Sequence, residues 1–252
     1  MALEPNRVHR RESLATLFWG DYENKIALRN LRLSLHRLRQ TLEKSSLGLS
    51  DQLFETSRQT IKLKRDFLDL DVWLFESNLN SVDQHDHQDL AACENCLSLL
   101  GAAVELYQGD LLTGLSVTDA LEFEQWLTIE RERLHQRQLK ALEQLVEAHK
   151  QNGAFTAARD YAIQLLVLEP RREETHRDVM RFYAIDGQEQ GALAQFERGR
   201  EALEEELGVD PDNETLALLE QIQSGVFSQE IPTNLPTPIT PFVGREQEIA
   251  EA

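Results

Sequence analysis

The feature that most restricts this fold is a spacing. Two breaks in helical pattern, Gln151-Asn152-Gly153 and Ile185-Asp186-Gly187, lie 34 residues apart. At that offset Ala158 falls on Ala192, and Pro170 and Pro211 close the two units. Each unit reads helix, glycine turn, helix, proline, and neither could bury its apolar face alone. Two units make no free-standing solenoid, so flanking helices must cover their open faces. Ala157, Ala158, Ala192 and Ala194 are small enough to let the helices cross closely. Upstream, helices are expected over Ala91–Tyr107 and Glu122–Asn152, joined through the loop Gly109-Asp110-Leu111-Leu112-Thr113-Gly114. Asp69–Leu79 opens this helical region.

The net charge of -18 is unevenly placed. Residues 1–70 hold 13 Lys/Arg against 9 Asp/Glu, and the remaining 182 hold 13 against 35. The balance is therefore +4 in front and -22 behind. From Lys25 to Lys44 six basic residues meet one acid, Glu43. A compact basic element on an acidic chain can bind phosphates locally while the remainder repels nucleic acid.

That basic element has two periodicities. Over an expected helix Glu23–Glu43, Leu28, Leu31, Leu35, Leu38 and Leu42 recur at steps of 3, 4, 3 and 4. Lys25, Arg29, Arg32, His36 and Arg39 follow at 4, 3, 4 and 3, about 100° round the helix. A shorter helix is expected over Arg10–Trp19, stopped at Gly20-Asp21. Two helices around a short turn, the second basic outside, have the layout of a helix-turn-helix. Strands are expected over Gln52–Thr56 and Thr60–Lys64, with Ser57-Arg58-Gln59 as hairpin tip. Ile61 and Leu63 alternate with Lys62 and Lys64, which gives one wet face. Such a hairpin would be a wing, offering Arg58, Lys62 and Lys64 to phosphate. Leu33, off the leucine stripe, is expected either to touch a thymine methyl or to pack against this wing.

Composition narrows the class. Hydrophobic residues at 41% and charged residues at 28% suit a globular protein, and 12 Gly and 7 Pro are too few for a fibre. The N-terminus lacks a signal-peptide layout and the apolar runs are short, so no membrane role is expected and the expected setting is the cytoplasm. His85, His87, Cys93 and Cys96 could in principle supply four metal ligands. With no second cysteine pair, and Cys93 and Cys96 three apart on an apolar helix face, small buried thiols are expected instead. Neither metal nor cofactor is assigned. The carboxylates fall in Glu-Arg and Glu-Glu patterns on helix faces, and no nucleophile–base–acid order or phosphate cradle stands out, so no enzyme is expected.

Leu17-Phe18-Trp19-Gly20-Asp21, Arg29-Asn30-Leu31-Arg32 and Leu35-His36-Arg37-Leu38-Arg39 resemble the winged helix-turn-helix of the streptomycete antibiotic regulatory protein family. Asp69-Leu70-Asp71-Val72 with Phe75-Glu76 is similar to that family's junction into its second domain. Leu106-Tyr107-Gln108-Gly109-Asp110-Leu111-Leu112-Thr113-Gly114-Leu115 resembles the bacterial transcriptional activator domain. So do Trp126-Leu127, Glu130-Arg131-Glu132-Arg133-Leu134 and Glu204-Glu205-Glu206-Leu207-Gly208-Val209-Asp210-Pro211. The family's winged domain usually opens with further strands and a first helix, so a partial, N-terminally truncated one is expected here. Four prolines in Ile231–Pro241 read as an extended linker. Thr240-Pro241-Phe242-Val243-Gly244-Arg245-Glu246 is similar to the entry into the nucleotide-binding domain of the large members.

The expected fold is mainly α: a partial winged helix-turn-helix over 1–68, an all-α tetratricopeptide-like domain over 69–225, and over 226–252 the linker and the truncated start of a nucleotide-binding domain. The resemblance implies a transcriptional activator that reads the major groove of double-stranded DNA as a homodimer, with RNA polymerase as a further partner. Lys25, Arg29, Asn30, Arg32, His36, Arg37, Arg39, Arg58 and Lys62 are the candidate DNA-contacting residues. The competing reading is a helical-repeat scaffold that binds protein partners and no DNA.

Overall fold

The computed structural model describes residues 1–225 apart from Ala2, Pro5, Ser46, Leu47, His87 and Gln88. The linker expected beyond residue 225 lies outside the described residues. The chain packs as two units, Met1–Pro170 and a second from Arg171 onward.

The first unit opens with strand β1 (Val8–Arg10), helix α1 (Arg11–Trp19) and helix α2 (Asn24–Ser45). Along α2 the leucine stripe turns inward as its spacing demands. Leu31 is buried, and Leu28, Leu35 and Leu42 pack beside it against Leu14, Ala15 and Ala27. Leu38 leaves the stripe at 41% exposure. Leu33, expected either at a thymine methyl or against the wing, is 46% exposed, because its position on the helix faces away from the core.

The Glu43 carboxylate accepts hydrogen bonds from the backbone N–H of Gly48 (2.8 Å) and Ser50 (3.0 Å). The two bonds anchor the start of a short helix, α3 (Leu49–Leu53), where the sequence had suggested the beginning of a strand. The hairpin is correspondingly shorter, β2 (Phe54–Thr56) and β3 (Thr60–Leu63). Its register pairs Phe54 with Leu63, Glu55 with Lys62 and Thr56 with Ile61. β1 adds to the other edge of β3, giving an antiparallel sheet in the order β1-β3-β2. The alternation expected for β3 holds, with Ile61 and Leu63 buried in the core and Lys62 and Lys64 half-exposed. β1 itself was not foreseen. A strand of three residues is too short to show a period, and it is ordered by the open edge of β3.

A short 3-10 turn (Arg65–Phe67) leads into helix α4 (Asp71–Gln84), followed by α5 (Glu94–Leu106), α6 (Leu121–Gln151) and α7 (Phe155–Leu168). Trp73 of α4 is buried with the sheet, and the Arg65 guanidinium lies 5.5 Å from its ring centroid. Helices α4 to α7 share a second core around Leu100, Leu142, Leu145 and Leu165. Arg131 on α6 donates to the carbonyls of Leu111 and Leu112 (2.7 and 2.8 Å), and Tyr107 donates to Asp110 (3.0 Å). These bonds hold the glycine-bounded loop that precedes α6.

Helix α1 also packs against α6. Phe18 stacks on Phe123 with ring centroids 4.9 Å apart, in a cluster with Leu17, Ala120 and Leu127. Gly20 lies against the Glu122 side chain, whose carboxylate would have to swing aside for a Cβ there.

The second unit comprises α8 (Glu173–Ile185), α9 (Glu189–Leu207) and α10 (Asn213–Gln223) around Met180, Phe196, Leu218 and Ile222. Asp212 caps α10 by accepting from the Thr215 N–H (2.8 Å), and Arg177 donates to its other carboxylate oxygen (2.8 Å). Those contacts hold the Asp212 carboxyl below the usual carboxylate range, the Thr215 N–H being the larger cause. The repeat read from spacing is present in the backbone. Gly153 and Gly187 turn at φ +69° and +70°, and Ala158 and Ala192 are fully buried. Ala194 corrects the reading: two positions beyond Ala192 it lies on the far side of α9 and is exposed.

Candidate nucleic-acid interface

Of the nine candidate residues, Lys25, Arg29, Arg32, His36 and Arg37 stand exposed along α2, while Asn30 and Arg39 are half-buried on it. The stripe from Lys25 to Arg39 runs about 21 Å along the helix at 1.5 Å per residue. Arg39 donates to Thr56 Oγ1 (2.8 Å), which ties α2 to the hairpin. At the hairpin tip the Ser57 hydroxyl accepts from the N–H of Gln59 (3.1 Å) and Thr60 (2.9 Å), leaving Arg58 exposed. Lys62 is placed differently: it pairs across the strands with Glu55 at 3.6 Å and is partly neutralised there.

Two residues of this surface were missed in the sequence. Arg10 and Arg11 end β1 and begin α1, and with Arg32 and Arg58 they line a cleft of about 470 Å³ whose one acid is Glu12. The Arg11 Nε donates to the Ser57 carbonyl (3.1 Å), so α1 also reaches the hairpin. Burial lowers the Arg11 pKa, and the charges of Arg39 and Arg32 lower it further. The visible signal was the consecutive pair Arg10-Arg11 at a helix start, outside the run counted along α2.

Arginine in this cluster is used differently from arginine on α6. Arg133 pairs with Glu76 and Glu130, and Arg137 with Glu76 and Asp83. Among the described residues Arg29, Arg32 and Arg37 form no ion pair. Several unneutralised guanidinium groups on one half-open surface create a local positive potential that attracts an anion.

The structure also brings together three of the four side chains that the sequence offered as possible metal ligands, where small buried thiols were expected. His85 Nδ1 lies 3.0 Å from Cys96 Sγ and 3.6 Å from Cys93 Sγ. Cys96 is buried and Cys93 half-buried, and burial pushes the Cys96 thiol up from its ordinary value. His87 lies outside the described residues.

The profile of the bacterial transcriptional activator domain matches residues 70–223. The chain belongs to this family. Its members are transcription regulators, and the arrangement here is of the streptomycete antibiotic regulatory protein type. Regulatory protein AfsR of Streptomyces griseus is 24% identical over 268 residues, an alignment covering 100% of this chain and 26% of that protein. The chain thus spans about a quarter of the length of that curated relative. Among solved structures, Mycobacterium tuberculosis EmbR in complex with a low affinity phosphopeptide aligns at a TM-score of 0.54 and 20% identity. That alignment covers 88% of this chain and 56% of the other, and it supports the fold: a small antiparallel sheet with helices, then helical repeats. Among the described residues no helix is long and apolar enough to cross a membrane.

Proposed function

We propose that residues 1–68 bind double-stranded DNA and that the helical region over 69–225 carries self-association and contact with the transcription machinery, the whole acting as a transcriptional activator in the cytoplasm. Helix α2 enters the major groove, whose width of about 12 Å accepts an α-helix. Arg29, Asn30, Arg32, His36 and Arg37 face the duplex, with arginine suited to guanine edges and asparagine to adenine edges. Lys25, Arg39, Arg58 and Lys62 flank them toward phosphate, joined by Arg10 and Arg11. Homodimers would select half-sites about one helical turn apart, near 34 Å.

The observation that carries this reading is the set of guanidinium groups at Arg29, Arg32 and Arg37 without carboxylate partners, beside the cleft of Arg10, Arg11 and Arg58. The test is fluorescence anisotropy of a random-sequence duplex across a salt series, using wild type and the variant Arg29→Ala/Arg32→Ala/Arg58→Ala. All three side chains are exposed, so the variant keeps its core. On a random-sequence duplex binding is non-specific and all three guanidinium groups meet phosphate; each contact removed lowers the slope of log affinity against log salt by about 0.9, so a drop of about 2 to 3 is expected. An unchanged slope would refute DNA binding through this surface.

A further inference from the structure

The cluster at the end of α4 belongs to none of this. His85 is the residue that closes α4, Cys93 is the cap of α5, and Cys96 lies in the first turn of α5. One ligand atom from each lies within 4.8 Å of the other two. We propose that His85, Cys93 and Cys96 bind one thiophilic divalent cation of the zinc class, through His85 Nδ1 and the two sulfurs, with solvent in the fourth position.

The distances suit such an ion. In a tetrahedral site with Zn–S near 2.3 Å and Zn–N near 2.0–2.1 Å, nitrogen and sulfur ligands stand about 3.6 Å apart and two sulfurs about 3.8 Å apart. The Cys93–His85 separation is 3.6 Å, and the Cys96–His85 separation of 3.0 Å needs to open by only about half an ångström. Two sulfurs and an imidazole select zinc-like ions over magnesium or calcium, which prefer oxygen. Burial is graded, from Cys96 inside through half-buried Cys93 to exposed His85, so an ion can enter and one position stays open to water.

The backbone already holds the ligands in place. The N–H of His85 donates to the Val82 carbonyl (3.2 Å), and that of Cys93 to Leu90 (3.0 Å). Between them the Ala91 N–H bonds the Asp89 carboxylate (3.0 Å), and Asn152 at the end of α6 donates to the Ala91 carbonyl (2.7 Å). The ion enters as a dication, each thiol gives up its proton to solvent, and no redox step is involved. Bound there, it staples the end of α4 to the start of α5 inside the core that supports α6.

The test is titration of the reduced, metal-free full chain with Co²⁺ as the spectroscopic stand-in for zinc. A thiolate-to-cobalt charge-transfer band that saturates at one equivalent, and is displaced by Zn²⁺, is expected. Cys96→Ser places a hydroxyl in the core, so Cys93→Ser and His85→Asn carry the test, each checked for native helicity by circular dichroism. Each should weaken cobalt binding by more than the ~10–100-fold that loss of a supporting group costs. Zinc should also raise the melting temperature of wild type and leave that of Cys93→Ser unmoved. No thiolate band from a folded chain with both thiols free overturns the proposal. So does affinity unchanged in both Cys93→Ser and His85→Asn.

Discussion

The stacking of Phe18 on Phe123 makes the docking of α1 against α6 testable by a double-mutant cycle. Phe123 is 4% exposed and its truncation to Ala should cost about 3–5 kcal/mol, in the range for a buried phenylalanine. Phe18 is half-buried, and Phe18→Ala should cost less, about 1–2 kcal/mol, by the lost burial of part of its ring. If the rings touch in solution at their 4.9 Å spacing, the double variant is destabilised by less than the sum. The shortfall should be about 0.5–1.5 kcal/mol, the worth of an aromatic pair beyond its buried area. Urea unfolding followed by tryptophan fluorescence reads the change, because Trp19 lies 5.8 Å from Phe18 and Trp126 5.6 Å from Phe123, centroid to centroid. The midpoints should move with the slope unchanged. Additivity within about 0.3 kcal/mol, or two resolved transitions, would mean that α1 and α6 are uncoupled and that the basic surface is not carried rigidly on the long helix.

Two further outcomes follow from local geometry. Burial, then the hydrogen bond to Asp110, then the charges of Asp110 and Glu132 push Tyr107 up from 10.0 to about 12. Its folded pKa lies above its unfolded one, so the stability it contributes is complete below pH 10 and is lost as pH rises through about 12. Tyrosinate absorbance should show one group ionising near pH 12, and Asp110→Asn should bring it earlier. Gly153 and Gly187 turn at positive φ with open space around them, so Ala at either position meets no clash and costs about 1–2 kcal/mol of backbone strain alone. Asn should cost less than Ala at both sites in thermal unfolding, and equal losses would show that the turn conformation is not the cause.

Long periodic elements were legible, and short ones held by single contacts were not. Helices α2 and α6 repeat their apolar positions over several turns, so sequence and structure agree within a few residues at their ends. Helix α5 was drawn too long, from Ala91, because the Asp89 and Asn152 bonds fix residues around Ala91 as a turn before Glu94. Helix α3 depends on one carboxylate, Glu43, reaching forward to Gly48 and Ser50, and that reach has no period to betray it. The arginine surface was half legible: spacing along α2 gave Arg29 and Arg32, but the sheet order that brings Arg10 and Arg11 beside them is a tertiary fact. His85, Cys93 and Cys96 were legible as possible ligands from their proximity in the chain, but their distances of 3.0 and 3.6 Å are a tertiary fact.

Charge alone would mislead about this chain, since its net value is -18 and its activator-domain helices are rich in acid. Partnering is the better guide. On α6 the guanidinium groups of Arg131, Arg133 and Arg137 are taken up by two carbonyls and by Glu76, Asp83 and Glu130, so they fix a loop and join α6 to α4. On α2 the same residue type is left without carboxylates and crowded by its own kind: the Arg11 pKa, lowered chiefly by burial, is lowered further by the charges of Arg39 and Arg32. Crowding like charges works against the free protein. The fold tolerates it because Arg11 and Arg39 are each anchored through a hydrogen bond to the hairpin. On the proposed function, this unmet charge is what the DNA phosphates would meet.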